Sequence, residues 1–105
     1  MNRTLVALLF WPIVVFSAEA DFTLVIQNHV FQPAQLDLPA GQKIRLLVEN
    51  KDATPEEFES HSLNREKVIA GNSSAIIYIG PLEPGRYPFF GEFHEETAQG
   101  VIVVK

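Results

Sequence analysis

Leu82-Glu83-Pro84-Gly85-Arg86-Tyr87-Pro88-Phe89-Phe90-Gly91-Glu92-Phe93-His94, followed after a short polar link by Gly100-Val101-Ile102-Val103-Val104, is the stretch on which the fold turns. Pro then Gly at the centre of Glu83 to Arg86 carries the signature of a type II turn. Tyr87 and Phe89 alternate into a strand that ends at Gly91, and Val101 to Val104 is apolar enough to be a central strand. Between those two strands sits a connection dense in carboxylates and imidazole.

Upstream, the same strand-and-turn grammar repeats. Phe22 to Gln27 is rich in β formers, and Lys43 to Asn50 alternates with Ile44, Leu46 and Val48 on one face and Lys43, Arg45 and Glu49 on the other. Pro33, Pro39 and Gly41 cut the intervening segment into short extended pieces, with Leu36 and Leu38 two apart. Glu56 to Glu59, Lys67 to Ile69 and Ser74 to Ile79 supply further short strands, the last two separated by Gly71-Asn72. No stretch of useful length shows a helical period. About seven short strands with frequent turn signals predict an all-β antiparallel sandwich or barrel filling one domain, residues 21–105.

The segment before that domain reads differently. Met1-Asn2-Arg3 is a short positive start, Thr4 to Phe16 is nearly all apolar, and Ser17-Ala18-Glu19-Ala20 ends on Ala-x-Ala. That layout predicts a secretory signal peptide over residues 1–20, and therefore export. The 105 residues include no cysteine, and their single methionine is Met1. Disulfides, zinc fingers, thiol nucleophiles and iron–sulfur clusters are thereby excluded. A net charge of −5 with no basic run argues against a nucleic-acid partner. There is no Gly-x-Ser-x-Gly and no phosphate-cradling glycine loop.

Chemistry concentrates in two segments, Pro55-Glu56-Glu57-Phe58-Glu59-Ser60-His61 and Gly91-Glu92-Phe93-His94-Glu95-Glu96. They hold six of the chain's 13 acidic residues and two of its 3 histidines. If the two segments meet, the carboxylates repel one another and their pKa values rise unless a cation sits among them. Carboxylate oxygen with imidazole nitrogen suits iron, manganese, zinc or Cu(II). Read blandly, the same acids are solvated groups that guard sheet edges. Within a strand, Glu57 and Glu59 share the face opposite Phe58, so an inward Phe58 leaves only Glu56 on the core side. His29, in Asn28-His29-Val30-Phe31 after the first strand, reads as a turn or surface histidine.

The order and spacing of these motifs resemble a known family. Phe31-x-Pro33, Leu36-x-Leu38-Pro39-Ala40-Gly41 and Ile44-x-Leu46-x-Val48-x-Asn50-x-Asp52 are similar to the opening half of the small periplasmic cupredoxins. Leu82-x-Pro84-Gly85-x-Tyr87-x-Phe89, Gly91-x-x-His94 and Gly100 to Val104 are similar to their last two strands. Glu57 to Ser60, Arg65-Glu66-Lys67, Phe89 to His94 and Thr97 to Gly100 resemble the EfeO-type group, and within it the FtrB-like component of ferrous-iron uptake systems. The resemblance implies a cupredoxin-like Greek-key β-sandwich in the periplasm. It implies a role in iron uptake, with a periplasmic metal-binding protein and an inner-membrane iron permease as partners.

A blue-copper site uses two histidines, a cysteine thiolate and a weak axial ligand. In the family's pattern the cysteine falls on Gly91, the following histidine on His94, the axial ligand near Gln99, and the first histidine on Glu56 or Glu57. The thiolate is thus lost and a carboxylate-rich set remains. Glu57, Glu59, Glu92 and His94 are the expected ligands of an iron or copper ion, with His61, Glu95 and Gln99 as lesser candidates. The implied function is metal binding with assistance in Fe(II) oxidation or transfer. The alternatives are a metal-free docking subunit and an exported β-sandwich binding module.

Overall fold

Alternation decides which side chains build the core. Along the strand Ile44–Asn50, the residues Ile44, Leu46, Val48 and Asn50 are buried, while Arg45, Leu47 and Glu49 are partly exposed. The computed structural model describes residues 20–105, so the expected signal peptide lies outside the described residues except for Ala20. Nine strands are present among the described residues: β1 (Phe22–Gln27), β2 (Val30–Gln32), β3 (Gln35–Leu38), β4 (Ile44–Asn50), β5 (Glu56–Ser60), β6 (Arg65–Ile69), β7 (Ser73–Ile79), β8 (Gly85–Gly91) and β9 (Gln99–Val104). A 3-10 turn, Glu92–His94, follows β8.

The strands form two sheets, in the orders β2-β1-β4-β7 and β3-β9-β8-β5-β6. Leu24, Ile26, Leu46, Val48 and Ile77 of the first sheet share one buried cluster with Leu36, Phe58, Phe89 and Ile102 of the second. This is an all-β sandwich, as the sequence predicts. Phe31, Phe58 and Phe89 form its aromatic centre, with ring centroids 5.0 to 6.2 Å apart.

Three details correct the sequence expectation. The strand count is nine rather than seven, because the extended pieces around Pro33 are themselves paired. β2 pairs with β1, the chain breaks at Pro33, and β3 crosses to the other sheet beside β9, where the Val101 N–H donates to Ala34 O at 2.8 Å. The sheets are mixed rather than antiparallel, since β1 runs parallel to β4 and β3 parallel to β9. Gly85 is not a positive-φ turn glycine; it pairs with Val104 at the start of β8. The Pro84-Gly85 pair therefore starts a strand, and no type II turn forms there.

One loop positions the start of β5. Asn50 is buried, and its Nδ2 donates to Thr54 O (2.9 Å) and Ile69 O (3.2 Å), while its Oδ1 accepts from Asp52 N. The loop 51–55 is thereby strapped to the end of β6. Gly71 completes the fit, since a Cβ there would lie 2.0 Å from Ala53 O.

Candidate metal centre

β5 points its side chains in two directions, and each direction builds a different site. Glu56, Phe58 and Ser60 face inward, at 1%, 0% and 1% exposure. Glu57 and Glu59 face the other way, as the two-residue period requires. β6 pairs antiparallel with β5, and its register sets Glu66 opposite Glu59. The 3-10 turn after β8 brings in Glu92.

Glu57, Glu59, Glu66 and Glu92 consequently form one cluster, each offering a carboxylate oxygen within 4.8 Å of the others. Glu57 is 6% exposed despite lying off the core face. Among the described residues, no Lys, Arg, hydroxyl or backbone N–H donates to any of these four carboxylates, and Oε2 of Glu59 is buried without a partner. Exposed His61 places its Nδ1 3.8 Å from Glu59 Oε1. Hydrogen bonding to Glu66, then burial, then Glu92 push the Glu57 carboxyl up to about 8. Glu59 is also raised, chiefly through Glu92, while Glu92 is lowered by the hydrogen bonds it receives from Glu59 and Glu57. Without a cation the cluster is held by shared protons. With one, four oxygens form a hard ligand set.

The inward site is separate. Glu56 Oε1 accepts the backbone N–H groups of Glu57 and Phe93, each at 2.9 Å, and Oε2 lies 2.6 Å from His94 Nδ1. Stacked on His94 is His29, with centroids 3.6 Å apart and planes 14° from parallel. His29 reaches this place because Asn28 and His29 are the two central residues of the β1–β2 hairpin, at φ 55 and 59. Paired left-handed residues are what a type I′ turn requires. Asp52 accepts both turn amides, at 2.8 and 3.0 Å, and lies 3.4 Å from His29 Nδ1. The His29 amide is the main cause holding the Asp52 carboxyl below its ordinary range. His29, Glu56 and His94 also offer ligand atoms within 4.8 Å of one another. Imidazole lone pairs lie in the ring plane, however, so two nearly parallel stacked rings do not aim at a common ion.

The expected ligands therefore do not converge on one point. Glu57, Glu59 and Glu92 stand together, joined by Glu66, while His94 belongs to the inward pair. Glu95 lines an open cleft of about 450 Å³ with His29, Glu92, Phe93 and His94. Gln99 is exposed, with its Nε2 spent on Glu95 O at 2.9 Å. His29 is a turn residue, as its sequence context predicts, and it also covers His94. Glu66 was not among the expected ligands. Its signal was the hairpin register across His61 to Asn64, which sets it opposite Glu59.

Copper in the blue-copper manner does not fit these residues. Of Glu56 and Glu57, it is Glu56 that faces Gly91 and His94. A Cβ placed on Gly91 would lie 2.7 Å from Glu56 Cδ and 2.7 Å from Ala98 Cβ. The space a thiolate side chain would need is occupied by a carboxylate already committed to two amides and an imidazole.

The chain is similar to known proteins in sequence and in fold. An uncharacterized protein of Rickettsia prowazekii (strain Madrid E) is 46% identical over 84 residues, covering 80% of this chain and 67% of the relative. Auracyanin A, a "blue" copper protein from Chloroflexus aurantiacus, superposes with a TM-score of 0.68 at 14% identity, over 79% of this chain and 96% of its own. The purple cupredoxin from Nitrosopumilus maritimus gives 0.64 at 19% identity, over 81% of this chain and all of its own (100%). At such identities the likeness to the solved structures is one of fold, and site chemistry is read from the residues themselves. The family model described as a cupredoxin-like domain matches residues 4–104, and the chain belongs to that family.

Proposed function

We propose that this protein is an exported metal-binding accessory of ferrous-iron uptake, holding iron at Glu57, Glu59, Glu66 and Glu92. The observation that carries the reading is the Glu57 carboxylate, which is 6% exposed and has carboxylate oxygens of Glu59, Glu66 and Glu92 within 4.8 Å. A buried carboxylate without a donor is costly, and a hard cation offsets that cost. An all-oxygen set stabilises ferric over ferrous iron, so iron held there yields an electron more readily to an outside acceptor. The FtrB-like motifs support the assignment to iron, since Glu57, Glu59, Glu66 and Glu92 all lie within them. Delivery to a permease through a second periplasmic metal protein belongs to the same reading.

Calorimetric titration of the purified protein with Fe(II) under anaerobic conditions, and with Mn(II) and Zn(II), tests it. One site of micromolar affinity or tighter is expected, weakened at least tenfold by Glu57→Gln or Glu92→Gln and unaffected by Gln99→Ala. A metal-free docking subunit is the second reading, favoured by Phe93, 48% exposed beside the His94 cleft. Binding no tighter than millimolar for every metal would discard the first reading in favour of the second.

A further inference from the structure

Glu56 has a role that the carboxylate cluster does not explain. It is 1% exposed, faces away from Glu57 and Glu59, and has no unsatisfied oxygen. Its three contacts reach two chain segments far apart in sequence, β5 itself and the connection from Gly91 to Ala98. Within itself that connection is closed by Gly91 N–H to Ala98 O and Ala98 N–H to His94 O, both at 2.8 Å. Thr97 Oγ1 ties it to the β1–β2 hairpin by donating to His29 O at 2.6 Å, but its side-chain link to the start of β5 is Glu56. In the family pattern that the sequence resembles, copper ligands fall on Glu56 or Glu57, Gly91 and His94, so the resemblance puts an ion at this crossing. Here the carboxylate lies at the same crossing and fills the volume in front of Gly91.

We propose that Glu56 is a built-in replacement for the metal of this fold, tying the 91–98 connection to β5 by hydrogen bonds and closing that position to copper. A carboxylate is suited to this. Two backbone N–H groups converge on one oxygen, an imidazole Nδ1 meets the other, and charge-assisted hydrogen bonds are roughly twice as strong as neutral ones. Gly91 is part of the same arrangement, since any larger residue would displace the carboxylate. The proposal is independent of iron binding by the outer cluster.

Amide hydrogen exchange in metal-free buffer tests the tie. Glu56→Ala should speed exchange at Glu57 and Phe93 at least tenfold more than at Val48 in β4, and Glu56→Gln, which keeps an acceptor oxygen, should restore slow exchange. Unchanged exchange at those two amides in Glu56→Ala would overturn the proposal, as would Glu56→Gln exchanging as fast as Glu56→Ala. Should Glu56→Ala not fold, the wild-type protein still decides. Its Cu(II) electron paramagnetic resonance spectrum should match that of His94→Ala, and nitrogen coupling lost in His94→Ala would show that copper enters with Glu56 in place. No arm depends on the outer carboxylates, so this proposal and the iron reading can fail separately.

Discussion

A single residue step along β5, which turns the side chain to the opposite face, separates two chemistries. Glu56 and Glu57 are adjacent, of one residue type and both buried, yet one carboxylate is fully hydrogen-bonded and the other meets only its own kind. Glu57 therefore imposes a pH dependence. Its carboxyl rises from an ordinary value of 4.5 to about 8, so between these limits the folded chain holds a proton that the unfolded chain has released. Stability of the metal-free protein is expected to be fullest below the lower value and to fall as pH rises toward the upper one. Urea midpoints across that range check it: Glu57→Gln should flatten the decline, and a midpoint that climbs through the range in wild type would refute the assignment. Asn50 acts at the same scale without charge. Removing its amide in Asn50→Ala strands the buried carbonyl of Ile69, with an expected loss of about 1–3 kcal/mol measured by urea unfolding.

At the scale of elements, the candidate centre depends on two connections rather than on strand propensity. The 51–55 loop must lie against the 70–72 turn for β5 to begin at Glu56, and the 91–98 connection must fold back for Glu92 and His94 to part toward their separate sites. Gly71 is the tightest point of the first, and Gly71→Ala would drive a methyl into Ala53 O, 2.0 Å away. A loss of about 1–3 kcal/mol is expected, together with weakened metal binding at Glu57 as the start of β5 shifts. Thermal unfolding and calorimetry on one preparation would show both effects. A fully stable Gly71→Ala would mean that the loop does not lie against Gly71. The β5–β6 hairpin matters equally, for it alone delivers Glu66 across from Glu59.

Across the whole molecule, a cation bound only by the folded state adds stability by mass action, about 2.7 kcal/mol at a hundredfold excess over Kd. Wild type should gain that stability with Fe(II) or Mn(II), and Glu57→Gln, binding at least tenfold more weakly, should gain no more than about 1.4 kcal/mol at the same concentration; equal gains in both would place the metal elsewhere. Much of this architecture was legible in the amino-acid order. Alternation in Phe22 to Gln27 and Ile44 to Asn50 exposes the strands, because burial on one face is a local, two-residue pattern. The inward Phe58, with Glu56 as the one carboxylate of β5 on the same side, follows from the same period. Absence of cysteine removes the thiolate, since no packing can supply a missing atom. What the sequence left open was the grouping of the acids and imidazoles. His29 lies 65 residues from His94 in the chain, and a type I′ turn held by Asp52 is what stacks them. Glu66 joins Glu57 and Glu59 through hairpin register, and Glu56 fills the space before Gly91 through the crossing of β5 with the last connection. Periodicity and composition act within a few residues and are written in the sequence. Which carboxylate meets which proton, amide or ion depends on contacts between distant segments, and those exist only once the two sheets have packed.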